Sequence, residues 1–321
     1  MKLVRLGISI VLLSLLVACG SPAQKEEAIS YPIEVTDQLG RVVKLEKIPE
    51  RIVSLAPSNT EILFALGLAD KVVAVTDYCN YPPEAKEKPS IGGFSTPNIE
   101  EIVALSPDLI LATSIHEKRI IPQLEEKGMA VFALNLKTLD EALEAITMVG
   151  EITEKEEEAS QLVTEMRNRI KAVTDKTDSL PEGKRPRVFH LTWHDPLMTS
   201  GSGTLLHELI QKAGGRNIFL EIIGTKSVDL EVLVARDPQV MIAGVGMGSG
   251  EDKPFQYLTT ESRLKNTEAG KNGRIYGIDL DLAGRAGPRI VDGLERFAKC
   301  IHPEIFGSPD NTKGVKIYVS E

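Results

Sequence analysis

The sequence predicts an α/β protein made of two similar lobes, each with a parallel, doubly wound sheet, joined by one long rigid α-helix. Short apolar strands alternate with helices along the chain, which is the pattern of parallel sheets with helical crossovers. The segment NIEEIVALSPDLILA at 98–112 recurs as DLEVLVARDPQVMIA at 229–243, at a constant offset of 131 residues. A long charged helical segment separates the two copies, so the repeat is one of whole lobes.

The first thirty residues have the features of an export signal followed by a tether. Two basic residues precede an apolar run that is shorter than the roughly 20 apolar residues needed to span a bilayer. The run ends in LVACGS, similar to a lipobox, so residues 1–18 are predicted to be a signal peptide and Cys19 to carry a lipid. Residues 19–30 would form a polar, lipidated tether that holds the protein outside the cytoplasm, at the membrane. An uncleaved anchor helix is the alternative.

Composition narrows the classes of partner. The chain has a net charge of −9, and loss of residues 1–18 removes two positive charges and leaves −11. Nucleic acid is therefore not expected as a partner, because phosphate contacts need clustered lysines and arginines, whereas docking on a basic protein surface is permitted. About 300 mature residues favour two domains over one. Cys79 and Cys300 are expected to be unpaired thiols, and no metal-type cysteine spacing is present.

The first lobe is predicted over residues 31–152. A hairpin is expected at 33–45, where apolar and polar residues alternate around a turn. The strand RIVSLA then leads into a helix in which Ser58 and Glu61 fit a capping box, with Gly67 at its end. The further elements are a strand KVVAVTDY, the first copy of the repeat with Asn98 as helix cap, a strand at 109–112, a helix at 118–127, a strand AVFAL and a helix at 138–150.

A long helix is predicted to link the lobes, within the segment 153–180. Thr153 and Glu156 fit a second capping box at its start. Apolar residues recur along one face at helical spacing. They are Ala159, Leu162, Val163, Met166, Ile170 and Val173. The helix would be about 33 Å long at 1.5 Å per residue, which favours a strut between two domains over a helix packed on one of them.

The second lobe is predicted over residues 181–306, with a C-terminal tail at 307–321. Its strand RVFHLTW is similar to RIVSLAP of the first lobe, and TLLHELIQKAGG is similar to TEILFALG. The second copy of the repeat follows, then a strand at 274–279 and a helix at about 288–302.

The loops after the strands form the candidate ligand site, because ligands of open α/β sheets lie beyond the carboxyl ends of the strands. Two facing lobes would share such a cleft. Four of the fifteen aromatic residues fall in these loops, namely Tyr78, Tyr81, Phe94 and Trp193. Each alone could be a core residue, but together they favour an apolar cleft that holds a large planar ligand.

Other residues of these loops could also take part in binding. His116 and His194 could ligate a metal carried by the ligand or donate a hydrogen bond, and Cys79 is a weaker candidate ligand. The segment GVGMGSG, which contains Met247, fits either a phosphate loop or a flexible cleft loop. No hydrolase, metalloprotease or P-loop motif is present, and the proximity of His194 to nearby serines in sequence does not define a triad, so an enzyme is not predicted.

The repeat places one glutamate near the start of a helix in each lobe. Glu100 and Glu231 are at about the second helical position, where the helix dipole favours a carboxylate. That stabilisation is one explanation. The other explanation is that one partner with two basic sites binds both negative groups, which lie on matching surfaces of the two lobes.

Six segments carry a family resemblance over about residues 33–305: RIVSLAPSNTEILFALGL, YCNYPPEA, NIEEIVALSPDLILA, WHDPLMTSGSGT, AGGRNIF and GRAGPRIVDGLE. Together they resemble the solute-binding lipoproteins of ABC importers for cobalamin, siderophores and haem, and the cobalamin-binding branch most of all. The resemblance implies limited closure of the lobes on a ligand. It also implies that Glu100 and Glu231 dock the lobes onto arginines of the permease, and it places Tyr78, Phe94, Trp193 and Arg285 at a corrinoid.

The resemblance implies a monomeric binding protein with no cofactor or catalytic residue of its own. It would capture a corrinoid (cobalamin or cobinamide) outside the membrane and deliver it to permease and ATPase subunits. Corrinoid binders often present several tryptophans, whereas this chain has one, with Phe94 and Thr225 where tryptophan can occur. Haem or a ferric siderophore is therefore the alternative ligand. A lipid-anchored hydrolase or a structural surface protein is the alternative of a different class.

Overall fold

The structure, a computed structural model, describes residues 31–246, 252–310 and 315–317. The predicted signal peptide, the tether with Cys19, and Met247 lie outside these residues. In the part of the chain that is described, no helix is long and apolar enough to cross a membrane.

The first lobe contains a hairpin, a parallel sheet and four helices within the described residues. In chain order its elements are β1 (Ile33–Thr36), β2 (Val42–Leu45), β3 (Ile52–Ser54), α1 (Pro57–Ala65), β4 (Val72–Ala74), α2 (Ile99–Ala104), β5 (Leu109–Thr113), α3 (Ile120–Glu125), β6 (Val131–Leu134) and α4 (Leu139–Ile152). β1 and β2 pair antiparallel, which confirms the predicted hairpin. The other strands pair in parallel in the order β4-β3-β5-β6. They are apolar along their length because helices cover both faces of such a sheet.

A single long helix, α5 (Glu156–Thr177), follows the first lobe, as predicted. One face of it is buried, and it packs against α4 on one side. On the other side Arg169 of this helix forms ion pairs with Asp292 and Glu295 of the second lobe. The helix is therefore fixed to both lobes.

The second lobe repeats the plan of the first with additions. Its elements are β7 (Arg187–Leu191), β8 (Trp193–His194), β9 (Leu197–Ser200), α6 (Leu205–Lys212), β10 (Arg216–Asn217), β11 (Thr225–Ser227), α7 (Leu230–Arg236), β12 (Val240–Val245), α8 (Lys253–Thr260), α9 (Glu268–Lys271), β13 (Ile275–Asp279), α10 (Leu280–Ala283), α11 (Ile290–Ile301), α12 (Pro303–Phe306) and β14 (Val315–Ile317). The main sheet has the order β10-β7-β12-β13-β14. Its first four strands are parallel and follow the same order of succession as those of the first lobe, which confirms the duplicated doubly wound architecture.

Two features of the second lobe were not predicted. β14 pairs antiparallel with the edge strand β13. In addition, β8, β9 and β11 form a small antiparallel sheet in the order β11-β9-β8. These strands have two to four residues each, so they are too short to show an alternation of apolar and polar residues in the sequence.

The two copies of the repeat have the same backbone conformation as well as a similar sequence. Just after its short helix, each copy has a residue in the left-handed region: φ is 46° at Ser106 and 44° at Asp237. A buried proline follows in both, Pro107 and Pro238. A left-handed residue followed by proline ends a helix, and here it turns the chain into the next strand.

Both predicted capping boxes are wrong. Helix α1 begins at Pro57, so its N-cap is Ala56, which has no side-chain acceptor, and Ser58 is already helical. Glu61 is turned inward and binds a residue of the other lobe. Thr153 donates to Val149 O at 2.6 Å and so ends α4, and α5 begins after Lys155 without a side-chain cap.

Candidate functional site

An open cavity of about 500 Å³ lies between the two lobes. It is lined by Ala56, Pro57, Ser58, Tyr78, Phe94, Ser95, Thr113, Ser114, Ile115, Leu136, Lys137, Gly284, Arg285 and Ala286. The first-lobe residues follow β3, β4, β5 and β6, so the cavity lies at the carboxyl ends of the parallel strands, where ligands of such sheets bind.

A second depression of about 480 Å³ lies at the opposite, amino-terminal ends of the first-lobe strands. Residues 42–47 of the hairpin line it, together with the chain just before β5 and just before β6. It has no aromatic lining, and the second lobe contributes nothing to it, so it does not fit the predicted inter-lobe site.

The inter-lobe cavity brings together three of the residues predicted to bind ligand. Tyr78 and Phe94 line it from the first lobe, and Arg285 lines it from the second. Tyr81, Trp193 and His194 are outside its lining. Their predicted contacts with ligand stay predictions.

His116 fixes the loop that presents Phe94. Its Nε2 donates to Phe94 O at 2.7 Å, and its Nδ1 accepts from Thr113 N at 3.0 Å. The ring also meets the Phe94 ring edge to face, with centroids 5.4 Å apart. Burial lowers the pKa of His116, which keeps the imidazole neutral. Both ring nitrogens are bonded within the protein, so His116 positions the Phe94 loop.

Arg285 connects the second lobe to the loop that carries Tyr78. Its guanidinium forms an ion pair with Asp281 at 2.6 Å and donates to Asn80 Oδ1 at 2.6 Å and to Tyr78 O at 3.3 Å. Asn80 Nδ2 in turn donates to Asp281 Oδ2 at 2.7 Å. The network holds a tyrosine and an arginine that both line the cavity in one arrangement across the lobe boundary.

Beneath this network lies a buried ion pair between the lobes. Arg289 donates to both carboxylate oxygens of Glu61, at 2.6 and 3.0 Å, and the Glu61 side chain is 2% exposed. The Arg289 guanidinium also lies 3.7 Å from the centre of the Tyr81 ring. Burial raises the pKa of the Glu61 carboxyl, while the hydrogen bonds from Arg289 oppose that shift. The pair could not be predicted from the sequence because its members are 228 residues apart.

The second lobe contains an aromatic cluster formed by Trp193, His194 and Tyr257. The His194 ring centre is 5.0 Å from that of Trp193 and 6.4 Å from that of Tyr257. Trp193 is 40% exposed and its Nε1 donates to Asp195 O at 2.8 Å. Among the described residues His194 Nδ1 is buried without a hydrogen-bond partner. The cluster is a partly exposed surface, and Tyr257 in it was not predicted.

The two repeat glutamates are exposed and have different surroundings. Asn98 caps α2 as predicted, because its side chain accepts from Glu100 N and from the next backbone N–H. In the described part of the chain no ion pair involves Glu100. Glu231, by contrast, pairs with Arg263 at 3.0 Å.

The two cysteines of the described residues, Cys79 and Cys300, are unpaired and buried, as predicted. Cys79 Sγ lies 3.1 Å from the hydroxyl of Thr60, which donates to it, and 3.2 Å from that of Thr76, so it packs in the interior instead of facing the cavity. Within residues 31–246, 252–310 and 315–317 no group of three metal-binding side chains comes together.

Comparison with known proteins identifies the family. The sequence profile of the periplasmic binding protein family matches residues 52–282, which include parts of both lobes. The chain belongs to this family. It is 31% identical over 306 residues to an ABC transporter substrate-binding lipoprotein of Bacillus subtilis, YvrC, a match that covers 91% of this chain and 94% of that protein. Proteins of this family are extracytoplasmic solute-binding components that work with permease and ATPase subunits.

Solved structures show the same two-lobed fold. The periplasmic vitamin B12-binding protein of Vibrio cholerae is 29% identical, with a TM-score of 0.68, and the match covers 79% of this chain and 96% of that one. A periplasmic haem-binding protein from Pseudomonas aeruginosa is 26% identical, with a TM-score of 0.73, and the match covers 85% of this chain and 99% of that one.

Proposed function

We propose that this chain is a lipid-anchored, monomeric binding protein that captures a corrinoid and delivers it to the permease and ATPase of an ABC importer. It binds its ligand without catalysing a reaction. The observation that carries the proposal is the cavity between the lobes, where Tyr78 and Phe94 on one side face Arg285 on the other. Two aromatic rings beside a cleft suit a large ring-shaped ligand with an apolar face and a polar periphery.

The cavity supports selective capture because its walls are held in place before ligand arrives. His116 fixes the Phe94 loop, and the network of Arg285, Asn80 and Asp281 fixes the Tyr78 loop against the second lobe. Less side-chain freedom is then lost on binding, which favours affinity. The choice of a corrinoid is supported by the likeness to the vitamin B12-binding protein.

Delivery depends on docking, which we assign to Glu100 and Glu231. Both are exposed and occupy the same place in the two lobes, so a partner with two arginines can contact both. Glu100 is available directly. The pair of Glu231 with Arg263 is exposed to solvent and therefore weak, so a permease arginine can replace Arg263.

The proposal is tested by calorimetric titration of the chain from Gly20 onward with cyanocobalamin, cobinamide, haem and a ferric hydroxamate. We expect one-to-one binding of the corrinoids and none of the ferric hydroxamate. Binding of the hydroxamate alone would keep the transport role and contradict the corrinoid. If none of the four ligands binds, the proposal that the cavity is a ligand site would be contradicted.

Haem is the second candidate, favoured by the likeness to the haem-binding protein from Pseudomonas aeruginosa. The cationic side chains that line the cavity suit the two carboxylates of haem as well. A shifted haem absorbance band on titration, with no heat from either corrinoid, would favour haem.

A further inference from the structure

The cavity has an unbalanced charge that the proposed function does not explain. Of its lining residues only Lys137 and Arg285 carry a formal charge, and both are cations, one from each lobe. The chain as a whole is acidic, with a net charge of −9. A cationic site in an acidic protein indicates an anionic group on the ligand, because a cleft focuses the field of the charges that line it.

The charge of Arg285 is largely neutralised within the protein. Asp281 lies 2.6 Å from its guanidinium and Glu61 lies 3.8 Å away. Glu61 is also bonded to Arg289, so these four residues place two carboxylates against two guanidinium groups. Their sum is zero, and a ligand gains little net attraction from them.

Lys137 is the cavity-lining cation that forms no ion pair among the described residues. It is exposed, and among the described residues no carboxylate forms an ion pair with its ammonium group. Its backbone is nevertheless fixed, because Lys137 N donates to Glu141 Oε2 at 2.8 Å and Thr138 caps the helix α4 that follows. The side chain therefore starts from a fixed point beside Leu136, at the edge of an apolar wall.

A corrinoid with a complete nucleotide loop carries one obvious anion for such a group, the phosphodiester of that loop. We infer that Lys137 binds this phosphodiester and so makes the site prefer cobalamin over cobinamide, which lacks the phosphate. The inference rests on the proposed function. Lys137 acts here as a point charge that donates hydrogen bonds to phosphate oxygens.

The test compares cyanocobalamin with dicyanocobinamide in calorimetric titrations of four proteins: the wild type, K137M, K137R and K127M. Lys127 is an exposed lysine of the same lobe outside the cavity lining, so K127M removes the same charge elsewhere. Since a hydrogen bond to a charged group is lost, K137M should bind cyanocobalamin about 10-fold more weakly. Its affinity for dicyanocobinamide should change by less than about twofold, K137R should stay close to the wild type, and K127M should match the wild type for both ligands.

Circular dichroism of each variant confirms that it is folded. A second readout is ionic strength: added salt should weaken the binding of cyanocobalamin by the wild type more than by K137M, because salt screens the lost interaction. Equal losses of both corrinoids in K137M, or no loss, would overturn the inference and leave the corrinoid site intact. Failure of the wild type to bind either corrinoid would contradict the proposed function and the inference with it.

Discussion

The buried ion pair between Glu61 and Arg289 predicts that one substitution at the boundary between the lobes destabilises the whole chain. The variant R289M keeps an unbranched side chain and removes the guanidinium group with its charge and its donors. It leaves the Glu61 carboxylate, whose side chain is 2% exposed, without the two hydrogen bonds at 2.6 and 3.0 Å.

The size of the effect follows from this geometry. Breaking a buried ion pair by removing one partner costs about 3–5 kcal/mol. The lower end is expected here, because Arg285 at 3.8 Å still offers partial compensation and because burial favours uptake of a proton by the carboxyl. A loss of about 3 kcal/mol corresponds to a Tm lower by about 5 °C in a chain of this size, because the entropy of unfolding grows with the number of residues.

The assay is urea unfolding followed both by far-UV circular dichroism and by the fluorescence of Trp193, the only tryptophan of the chain. The matched control is R167M, which removes an exposed arginine of α5 and should change stability by less than about 0.5 kcal/mol. The double variant E61L/R289M should be more stable than R289M, because an apolar pair leaves no charge unpaired. If R289M unfolds at the same urea concentration as R167M, the buried pair is not what holds the lobes together.

Three further predictions concern other parts of the chain. Burial lowers the pKa of His190 from 6.5 to about 4, so the unfolded chain binds a proton that the folded chain does not, and about 3 kcal/mol of stability should be lost between pH 7 and pH 4. Urea unfolding at both pH values should show this loss, and the variant H190Q should have a shallower dependence; equal slopes would contradict the assignment. Burial raises the pKa of the Cys300 thiol to about 12, so an aromatic disulfide reagent should leave it unmodified in the native protein and modify it in urea, and rapid labelling of the folded chain would be inconsistent with this. The double variant E100Q/E231Q should abolish uptake of the ligand by cells with unchanged binding affinity, whereas E101Q, one residue away on the same helix, should not; uptake that survives the double change would show that docking uses other groups.

Much of the architecture could be predicted because its signals are local. The strands of the parallel sheets are continuous apolar runs. The start and end of the helix in the repeat are determined by residues next to them in sequence, such as Asn98, Ser106 and Pro107. The amphipathic face of α5 was predicted for the same reason, since Ala159 and Val173 are both buried. Signals of this kind do not depend on the rest of the chain.

The features that could not be predicted depend on distant partners. Glu61 fits a capping box by sequence spacing alone, but the helix begins before Ser58, and the Glu61 carboxylate binds a partner 228 residues later. The strands of the small sheet, β8, β9 and β11, are too short to show the two-residue alternation of apolar and polar residues that indicates a strand. Lys137 was missed because its sequence neighbours do not show whether a lysine forms an ion pair. Only the packing of the two lobes shows that Arg285 is paired with carboxylates, whereas Lys137 forms no ion pair among the described residues.

The candidate site was predicted only in part for a similar reason. Tyr78, Phe94 and Arg285 line one cavity, as post-strand loops of facing lobes should. Trp193 and His194 also follow a strand, but they form the short strand β8. Their rings contact each other, and the His194 ring also contacts that of Tyr257. The position of a residue after a strand therefore indicates at which end of the sheet the residue lies. The direction of its side chain depends on how the local segment pairs with its neighbours.

A crystal structure of the chain with cyanocobalamin bound would test binding between the lobes most directly. We predict that the corrin ring lies between the lobes, in contact with Tyr78 and Phe94 on one side and with the Arg285 loop on the other. A corrinoid bound against the exposed cluster of Trp193 and Tyr257, with the inter-lobe cavity left empty, would contradict it.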